Sequence, residues 1–573
     1  MGIALRTEKL TKRFDRLVAV DGIDLEVREG EVFGFLGPNG AGKTTTLRLV
    51  CALIAPTSGT AEVAGYRLGV DDAKIRAAVG ILTEQPGLYE RQSAWENLVF
   101  YATLYGLPTA VAAKQAERYL RLMGLWERRQ EPTATFSRGM KQKMAIARAA
   151  LHEPRILFLD EPTTGLDPDA AKTVRDFIVA LRGEGRTVFL CTHNLDEADR
   201  LCDRIAFFRH KVIRIDSPDE LRAELYGRAT EIRLLPAPRP EDLARVRAVA
   251  GVREARFENG SIIVASTDPL RTNPLLVRAL VEGGAEIAYV TGRGGRSPPR
   301  TPPMSVVART PERTTLVRAV CVREWREAIG NKLLVGMTLL PPVVILGTGV
   351  LAVAAAAINP PSERDIQALY SAAPAVRGLD PVDAVQGFIA TYFLILFMLI
   401  PTVVPLTMAI YSVIGEKSMR TLEPLLATPV GVGDLLFAKS LASTVPSVIV
   451  TWTAYAFYLT SVVLLGSRAA VNAVTAPRWV LAILVMVPLL TLLSVNLGIL
   501  ISTRVNDVRV AQQIGGLVVV PVVAIGIAQV TGRVVLDNGA FLQMTTVLIV
   551  LDLAVFWLAK IAFQRENILV RWR

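Results

Sequence analysis

This sequence predicts two folds in one chain. Residues 1–225 should form an α/β domain and residues 315–573 an all-α membrane domain, with a small α+β module at 226–292 and a linker at 293–314 between them. Three observations predict this. Residues 37–45 read Gly-Pro-Asn-Gly-Ala-Gly-Lys-Thr-Thr directly after the apolar run Val32–Leu36. Short apolar runs such as Ile156–Leu159 and Thr187–Cys191 alternate with helical stretches, the α/β pattern. Several long apolar runs crowd residues 333–563.

Composition narrows the class. The chain has 573 residues, a formal charge of +11 and 51% hydrophobic residues, with a mean hydropathy of +0.37. No basic stripe interleaved with aromatics accompanies the charge, and much of it flanks apolar runs, so a nucleic-acid partner is not expected. Cys51, Cys191, Cys202 and Cys321 have no metal-ligand spacing and read as reduced cytosolic thiols. No secretory pattern opens the chain, which places the N-terminus in the cytosol.

The α/β domain carries the chemistry. Gly37, Pro38, Asn39, Gly40, Ala41, Gly42, Lys43, Thr44 and Thr45 form a P-loop between a strand and a helix. Its backbone N–H groups wrap a β-phosphate, Lys43 spreads the β/γ charge, and the Thr44 hydroxyl is a ligand for Mg²⁺. Ile156–Leu159 is a buried strand ending in Asp160, which holds the Mg²⁺ shell, and Glu161, placed to polarise an attacking water.

Residues 229–291 read as strand 230–235, helix 240–249, strands 252–258 and 261–266, helix 271–283 and strand 286–291, a ferredoxin-like βαββαβ module. Gly292–Pro303 is a linker by composition. Arg318–Asn331 sets Val322, Trp325, Ala328 and Ile329 among Arg323, Arg326 and Glu327, the pattern of an amphipathic interfacial helix, taken as 315–331. Six spans follow at about 333–358, 388–414, 441–466, 479–502, 512–530 and 541–563, each long enough for a hydrocarbon core of about 30 Å. With the interfacial helix inside, thirteen Lys and Arg flank the spans on the cytosolic side, among them Lys417 and Lys439, against five outside. That asymmetry puts both termini in the cytosol of a cell whose cytoplasmic (inner) membrane holds the chain.

The whole first domain resembles the ATP-binding cassette (ABC) transporter family. Phe136-Ser137-Arg138-Gly139-Met140 sits at the family's signature motif, and Gly165-Leu166-Asp167 at its D-loop. The resemblance implies an α-helical subdomain within the α/β P-loop domain, an ATP cofactor with Mg²⁺, and a signature motif facing the P-loop of a second cassette. It further implies that Ser137, Arg138, Gly139 and Asp167 meet nucleotide, that His193 contacts the γ-phosphate, and that Phe14 stacks on adenine. The signature departs from Leu-Ser-Gly-Gly-Gln at Phe136, Arg138 and Met140. In the Q-loop Glu84 takes the glutamine position by spacing and Gln85 falls one residue late; either reaches Mg²⁺, with Gln85 taken as the metal-side residue.

Gly415–Pro429, with Glu416, Thr421 and Glu423, resembles the cytoplasmic coupling segment of type-2 ABC export permeases, called type V exporters. One cassette and six spans make half a transporter, so a homodimer is expected, or a heterodimer with a sister chain. Asp552, near the middle of the last span, and Glu416 are candidate transport residues. Pro401 and Pro405 predict a kink in span two, and Gly515, Gly516, Pro521 and Gly526 an interrupted span five. The expected activity is ATP-driven export, by paired cassettes, of a small amphipathic or hydrophobic substrate, drug or lipid-like, across the cytoplasmic membrane. The rivals are an importer, an extruder of Na⁺ or another ion, and a mechanotransmission ATPase, which the short outer loop 359–387 disfavours.

Overall fold

The computed structural model describes residues 2–571 apart from 16, 219–227, 236, 259, 267–268, 293–310, 360, 373–375 and 531–537. Most of the expected linker therefore lies outside the described residues. The chain falls into two compact units, one of residues 1–84 and 153–306 and the other of residues 85–152 and 307–573.

In the first unit, ten strands build the α/β part: β1 (Ile3–Phe14), β2 (Leu17–Arg28), β3 (Val32–Leu36), β4 (Ser58–Val63), β5 (Tyr66–Arg67), β6 (Val79–Leu82), β7 (Ile156–Asp160), β8 (Thr187–Thr192), β9 (Arg204–Arg209) and β10 (Lys211–Asp216). They form an antiparallel sheet β2-β1-β4-β5 and a six-stranded sheet β10-β9-β3-β8-β7-β6. The second sheet is parallel except at the β9–β10 hairpin. Strands β3, β7 and β8 are buried at every position, as expected of parallel strands covered on both faces. Their register aligns Leu36 with Thr192 and Asp160 with Cys191, so the loops after these three strands open at one edge of the sheet. That is the edge where open α/β sheets bind ligands.

The same unit holds β11 (Arg228–Leu235), β12 (Val252–Glu258), β13 (Ser261–Ser266) and β14 (Glu286–Gly292), with helices Pro240–Arg247 and Pro269–Glu282. The order β12-β13-β11-β14, antiparallel throughout, is the ferredoxin-like arrangement. Ile232, Leu234, Ile262, Val264, Leu276 and Leu280 form its core.

The second unit joins three helices, Ala94–Leu104, Thr109–Leu122 and Arg138–Ala150, to the membrane half. Ser93 and Glu96 close a capping box on the first of them. Six helices are long and apolar enough to cross a membrane: Lys332–Ile358, Pro381–Ser418, Val432–Leu465, Pro477–Arg504, Val508–Gln529 and Gly539–Ala562. The second breaks after Phe397 and resumes at Ile400, with Pro401 in its first turn, where a missing N–H costs nothing. The fifth breaks between Gly516 and Val519. Phe397, Tyr458, Trp479 and Met486 lie in the core that packs these helices together.

The helix before the first span runs Arg313–Gly330. Its buried face differs from the apolar stripe read in the sequence: Val322 and Ile329 are exposed, while Leu316, Val320, Cys321 and Arg323 are buried. The cause is a partner. This helix packs along the start of span three, where Trp325 Nε1 donates to the Ala442 carbonyl at 2.8 Å.

Candidate functional site

The P-loop runs from the end of β3 into the helix Lys43–Val50. Gly42 caps that helix with φ +99°, and a Cβ there would stand 2.2 Å from the Ala19 carbonyl oxygen, so only glycine fits. Lys43 is 6% exposed, and its ammonium donates to the carbonyls of Gly37 at 2.6 Å and Pro38 at 3.2 Å. Its charge therefore lies across the mouth of the loop, against the free N–H groups of a helix start.

Three side chains from β7 and β8 meet it. Thr44 Oγ1 donates to Asp160 Oδ2 at 2.7 Å. Glu161, held at φ +50°, lies 3.6 Å from Lys43 Nζ and accepts from Thr164 Oγ1 at 2.8 Å. A strained backbone on a nearly buried carboxylate at a strand end marks a position fixed by its surroundings. His193 Nδ1 lies 2.9 Å from Glu161 Oε1. An ionised carboxylate only accepts, so this contact selects the Nδ1–H tautomer and leaves Nε2 facing outward as an acceptor. Burial pushes Asp160 up to about 6; the Thr44 hydrogen bond and the Lys43 charge oppose this, while Glu161 and Glu84 add to it.

Hard oxygen donors from one hydroxyl and one carboxylate suit Mg²⁺, which takes one or two protein ligands and fills its octahedron with water and phosphate oxygens. Thr44 and Asp160 supply such a pair. Among the described residues no group of three or more His, Cys, Asp or Glu gathers for a metal, in keeping with a site completed by a phosphate substrate.

The remaining sequence candidates are distributed as follows. Asn39 and Gly40 form the exposed tip of the P-loop, Ala41 is buried behind it, and Thr45 faces partly outward. Phe14 ends β1 with the Lys12 ammonium 5.1 Å from its ring centre. Glu84 lies close enough to Asp160 for its charge to raise that group, whereas Gln85 begins the other compact unit. Asp167 caps the helix Pro168–Gly183 by accepting from Ala170 N at 2.9 Å. Ser137 caps the helix Arg138–Ala150, with Ser137 and Arg138 exposed and Gly139 and Phe136 buried. All four cysteines are buried, and none forms a disulfide among the described residues.

The second unit contains a charge cluster that sequence reasoning largely missed. Arg323 of the helix Arg313–Gly330 donates to Glu416, near the C-terminal end of span two, at 2.5 Å, and also to Glu324. Lys439 of span three reaches Glu324 at 2.6 Å and Glu416 at 2.9 Å. The Arg323 guanidinium stacks 4.4 Å from the centre of the Tyr89 ring, and the Tyr89 hydroxyl is 3.5 Å from Glu416. Burial pushes Glu324 up, but Arg323, Lys439 and the Ser412 hydroxyl outweigh it and hold the carboxyl at about 2. Just before Tyr89, Gly87 has φ +54°, and a Cβ there would meet the Arg420 carbonyl oxygen at 2.6 Å. Arg148 locks this turn by donating to the Gly87 carbonyl at 2.5 Å. Glu416 alone was singled out from sequence; Arg323 and Lys439 had the look of ordinary membrane-flank charges. An Arg-Glu pair inside a helix abutting a span is the signal that could have found them.

Residues 20–164 match the family of ABC transporters, and residues 318–558 the ABC-2 family transporter proteins. The linearmycin resistance ATP-binding protein of Bacillus subtilis is 37% identical over 224 residues, 39% of this chain and 72% of that one. The daunorubicin/doxorubicin resistance ATP-binding protein of Streptomyces peucetius is 37% identical over 281 residues, 49% of this chain and 84% of that one. The fluoroquinolones export ATP-binding protein of Mycobacterium tuberculosis is 38% identical over 221 residues, 38% of this chain and 72% of that one. Among solved structures, cbiO1 of Clostridium perfringens is similar over 39% of this chain and 92% of its own, at 30% identity and a TM-score of 0.37.

Proposed function

The chain belongs to the ABC transporter family as an ATPase cassette fused to an ABC-2 membrane domain, and we propose that two copies export an amphipathic, drug-like solute across the cytoplasmic membrane at the expense of ATP. Relatives named for resistance to linearmycin and daunorubicin/doxorubicin, and for export of fluoroquinolones, support that class of cargo.

In this reading the P-loop backbone and Lys43 hold the β- and γ-phosphates. Thr44 and Asp160 would hold Mg²⁺, which would supply positive charge to the phosphates. Glu161 takes the proton of the attacking water, and His193, oriented through Nδ1 by Glu161, donates to the γ-phosphate from Nε2 when both ring nitrogens carry protons. Glu84 or Gln85 relays the state of the metal side. Ser137, Arg138 and Gly139 of one copy cover the nucleotide of the other, Asp167 lies along that junction, and Phe14 stacks on the base. Both termini are cytosolic.

The observation that carries coupling is the buried cluster joining Tyr89, in the cassette's helical segment, to Arg323, Glu416 and Lys439 at the inner ends of the membrane helices. A ligand-driven shift of Tyr89 cannot leave Glu416 in place without exposing or unpairing a buried charge. The test is transport by inverted vesicles of the purified chain. Amphipathic dyes should accumulate only with hydrolysable ATP, and Glu161→Gln should abolish both hydrolysis and accumulation. Hydrolysis without movement of any solute offered sinks the export reading, and a strictly monomeric ATP-bound protein sinks the pairing.

A further inference from the structure

Span six buries one ridge. Phe541, Leu548, Asp552 and Ala559 are buried, while Leu551, Leu553, Trp557 and Leu558 are exposed. The spacing is that of a helix stripe packed on a neighbour, here chiefly span four, with a smaller contact to span three. Asp552, a carboxylate in the middle of that stripe, is 5% exposed.

Among the described residues no group makes a well-formed hydrogen bond to either carboxylate oxygen of Asp552. Asn496 of span four, 1% exposed, lies beside it and interacts with it through its side chain, its Nδ2 finding no other partner. The Asn496 carbonyl end is held from the far side, accepting from Ser440 Oγ of span three at 2.9 Å. One turn along the same face of span three, Thr444 Oγ1 is buried and unpartnered too. At about 1.5 Å per residue, Asp552, Asn496, Ser440 and Thr444 stand roughly 15, 12, 12 and 18 Å from the inner ends of their helices. Asp552 and Thr444 lie furthest from those ends, whereas Ser440 directly follows Lys439 of the charge cluster.

Among the described residues no charged group acts on Asp552. On span three, Asp434 faces Arg313 and Lys439 is held by Glu324 and Glu416. On span four, Arg478 and Arg504 stand at opposite ends. On span six itself, Lys560 lies beside Gly433. A bare carboxylate at such a depth is expensive, and natural spans keep one only where something neutralises it.

We propose that the Asp552 carboxylate, positioned by the Asn496 amide that Ser440 holds from the far side, is a monovalent-cation site in the seam between spans four and six. A proton or an alkali ion occupies it whenever the seam is closed and exchanges with water when the seam opens. Protonation here forms one O–H bond at a carboxylate oxygen with the proton drawn from solvent, and an alkali ion adds by coordination alone. A small cation is favoured over an organic ammonium because the carboxylate is enclosed by packed side chains. The helix that carries Asp552 is also tied to the coupling segment: Arg565, just past its end, donates to the carbonyls of Leu426 at 3.0 Å and Val430 at 2.5 Å. Displacement of that segment pulls on span six, so seam opening and cation exchange follow the cassette cycle.

The test is infrared difference spectroscopy of the full chain in lipid nanodiscs, wild type against Asp552→Asn, first in choline chloride and then with added NaCl or KCl. A protonated-carboxyl C=O band at neutral pH, lost in Asp552→Asn and unchanged by salt, identifies the proton. Loss of that band, or a shift of the carboxylate bands, with Na⁺ or K⁺ but not choline identifies an alkali ion. Asn496→Leu retains the carboxyl and should move the pH or salt midpoint at least tenfold, which keeps the test open if Asp552→Asn folds poorly. Spectra identical in wild type and Asp552→Asn, or bands indifferent to pH and to all three salts, overturn the site. The readout needs neither ATP nor cargo, so it fails independently of the export reading.

Discussion

Replacing Arg323 by Met removes a positive charge and leaves most of the stem. The side chain is 3% exposed and faces Glu416 at 7% and Glu324 at 13%. With Arg323 and Lys439 present, two cations balance two carboxylates; without Arg323, one buried carboxylate has lost its partner. Breaking a buried pair from one side costs about 3–5 kcal/mol, far more than the ~0–1 kcal/mol of an exposed pair. The guanidinium also leaves the faces of Tyr89 and Phe100, 4.4 and 5.4 Å from their ring centres, worth about 0.5–2 kcal/mol more. Glu416→Gln should be similarly costly, since it strands Arg323 and Lys439 with Glu324 alone. The double variant Arg323→Met with Glu416→Gln restores charge balance, so its cost should fall short of the sum of the singles by about 1–3 kcal/mol. Native-state hydrogen exchange on residues 89–104 and 416–428 measures the local opening energy, and vesicle transport per ATP hydrolysed measures coupling. Both single variants should hydrolyse ATP while moving less cargo. Strictly additive costs, or single costs no larger than a surface pair, would refute the idea that this cluster binds the cassette segment to the spans.

Four shorter predictions follow from the same geometry. Glu161→Gln should lower ATP turnover by about 10²–10⁴-fold while nucleotide binding persists, measured by single-turnover hydrolysis and by equilibrium binding of a fluorescent nucleotide. Gly87→Ala forces a side chain into left-handed backbone and against the Arg420 carbonyl, costing at least ~1–2 kcal/mol; protease sensitivity near Gly87 should rise and transport should fall further than hydrolysis. Glu324 ordinarily titrates near 4.5 and is held at about 2. Its contribution to stability is thus complete above the ordinary value and disappears as pH falls toward about 2, an acid step in tryptophan fluorescence that Glu324→Gln should lack. Arg565→Met deletes two charged hydrogen bonds to Leu426 and Val430, each worth about 1.5–3 kcal/mol, and should raise amide exchange across residues 422–432.

The nucleotide chemistry was legible because it is local. A P-loop, a strand ending in Asp160-Glu161 and a strand ending near His193 each announce themselves within ten residues or so, and parallel pairing of β3, β7 and β8 brings their ends together. The ferredoxin-like module was legible for the same reason, since its strands and helices alternate with short turns. The protein-facing side of the interfacial helix was not. It is set by span three, more than a hundred residues away in sequence, so nothing local shows that Arg323 is buried there while Val322 and Ile329 stay exposed. A buried ion cluster has no sequence period, because each member comes from a different helix. The inner ends of spans two and three were short for a related reason: Glu416 and Lys439 interrupt hydropathy but not the helices, because each finds its counter-charge on a neighbour.

The chain passes from one compact unit to the other at three points, between residues 84 and 85, 152 and 153, and 306 and 307. The first point is also where the Q-loop departs from its expected spacing. Glu84 stays on the side of Asp160, close enough to raise its titration, and Gln85 starts the segment that ends in Tyr89. Five residues separate the charge that senses the metal-side carboxylate from the ring that stacks on Arg323, a reach of at most about 17 Å even fully extended. Pro86 fixes one φ within them, and Gly87 sits in a left-handed turn locked by Arg148 and closed over by Arg420 and Pro424. So short and constrained a connection has little slack to absorb a displacement at Glu84. Physically, the shift in register from a glutamine to a Glu-Gln pair sets an acidic group beside Asp160, where added Mg²⁺ would relieve repulsion between carboxylates. Glu84→Gln should therefore weaken the dependence of nucleotide affinity on Mg²⁺ concentration, whereas Gln85→Ala should leave that dependence intact and reduce transport per ATP. If the two variants behave alike, the division of labour between these neighbours is wrong.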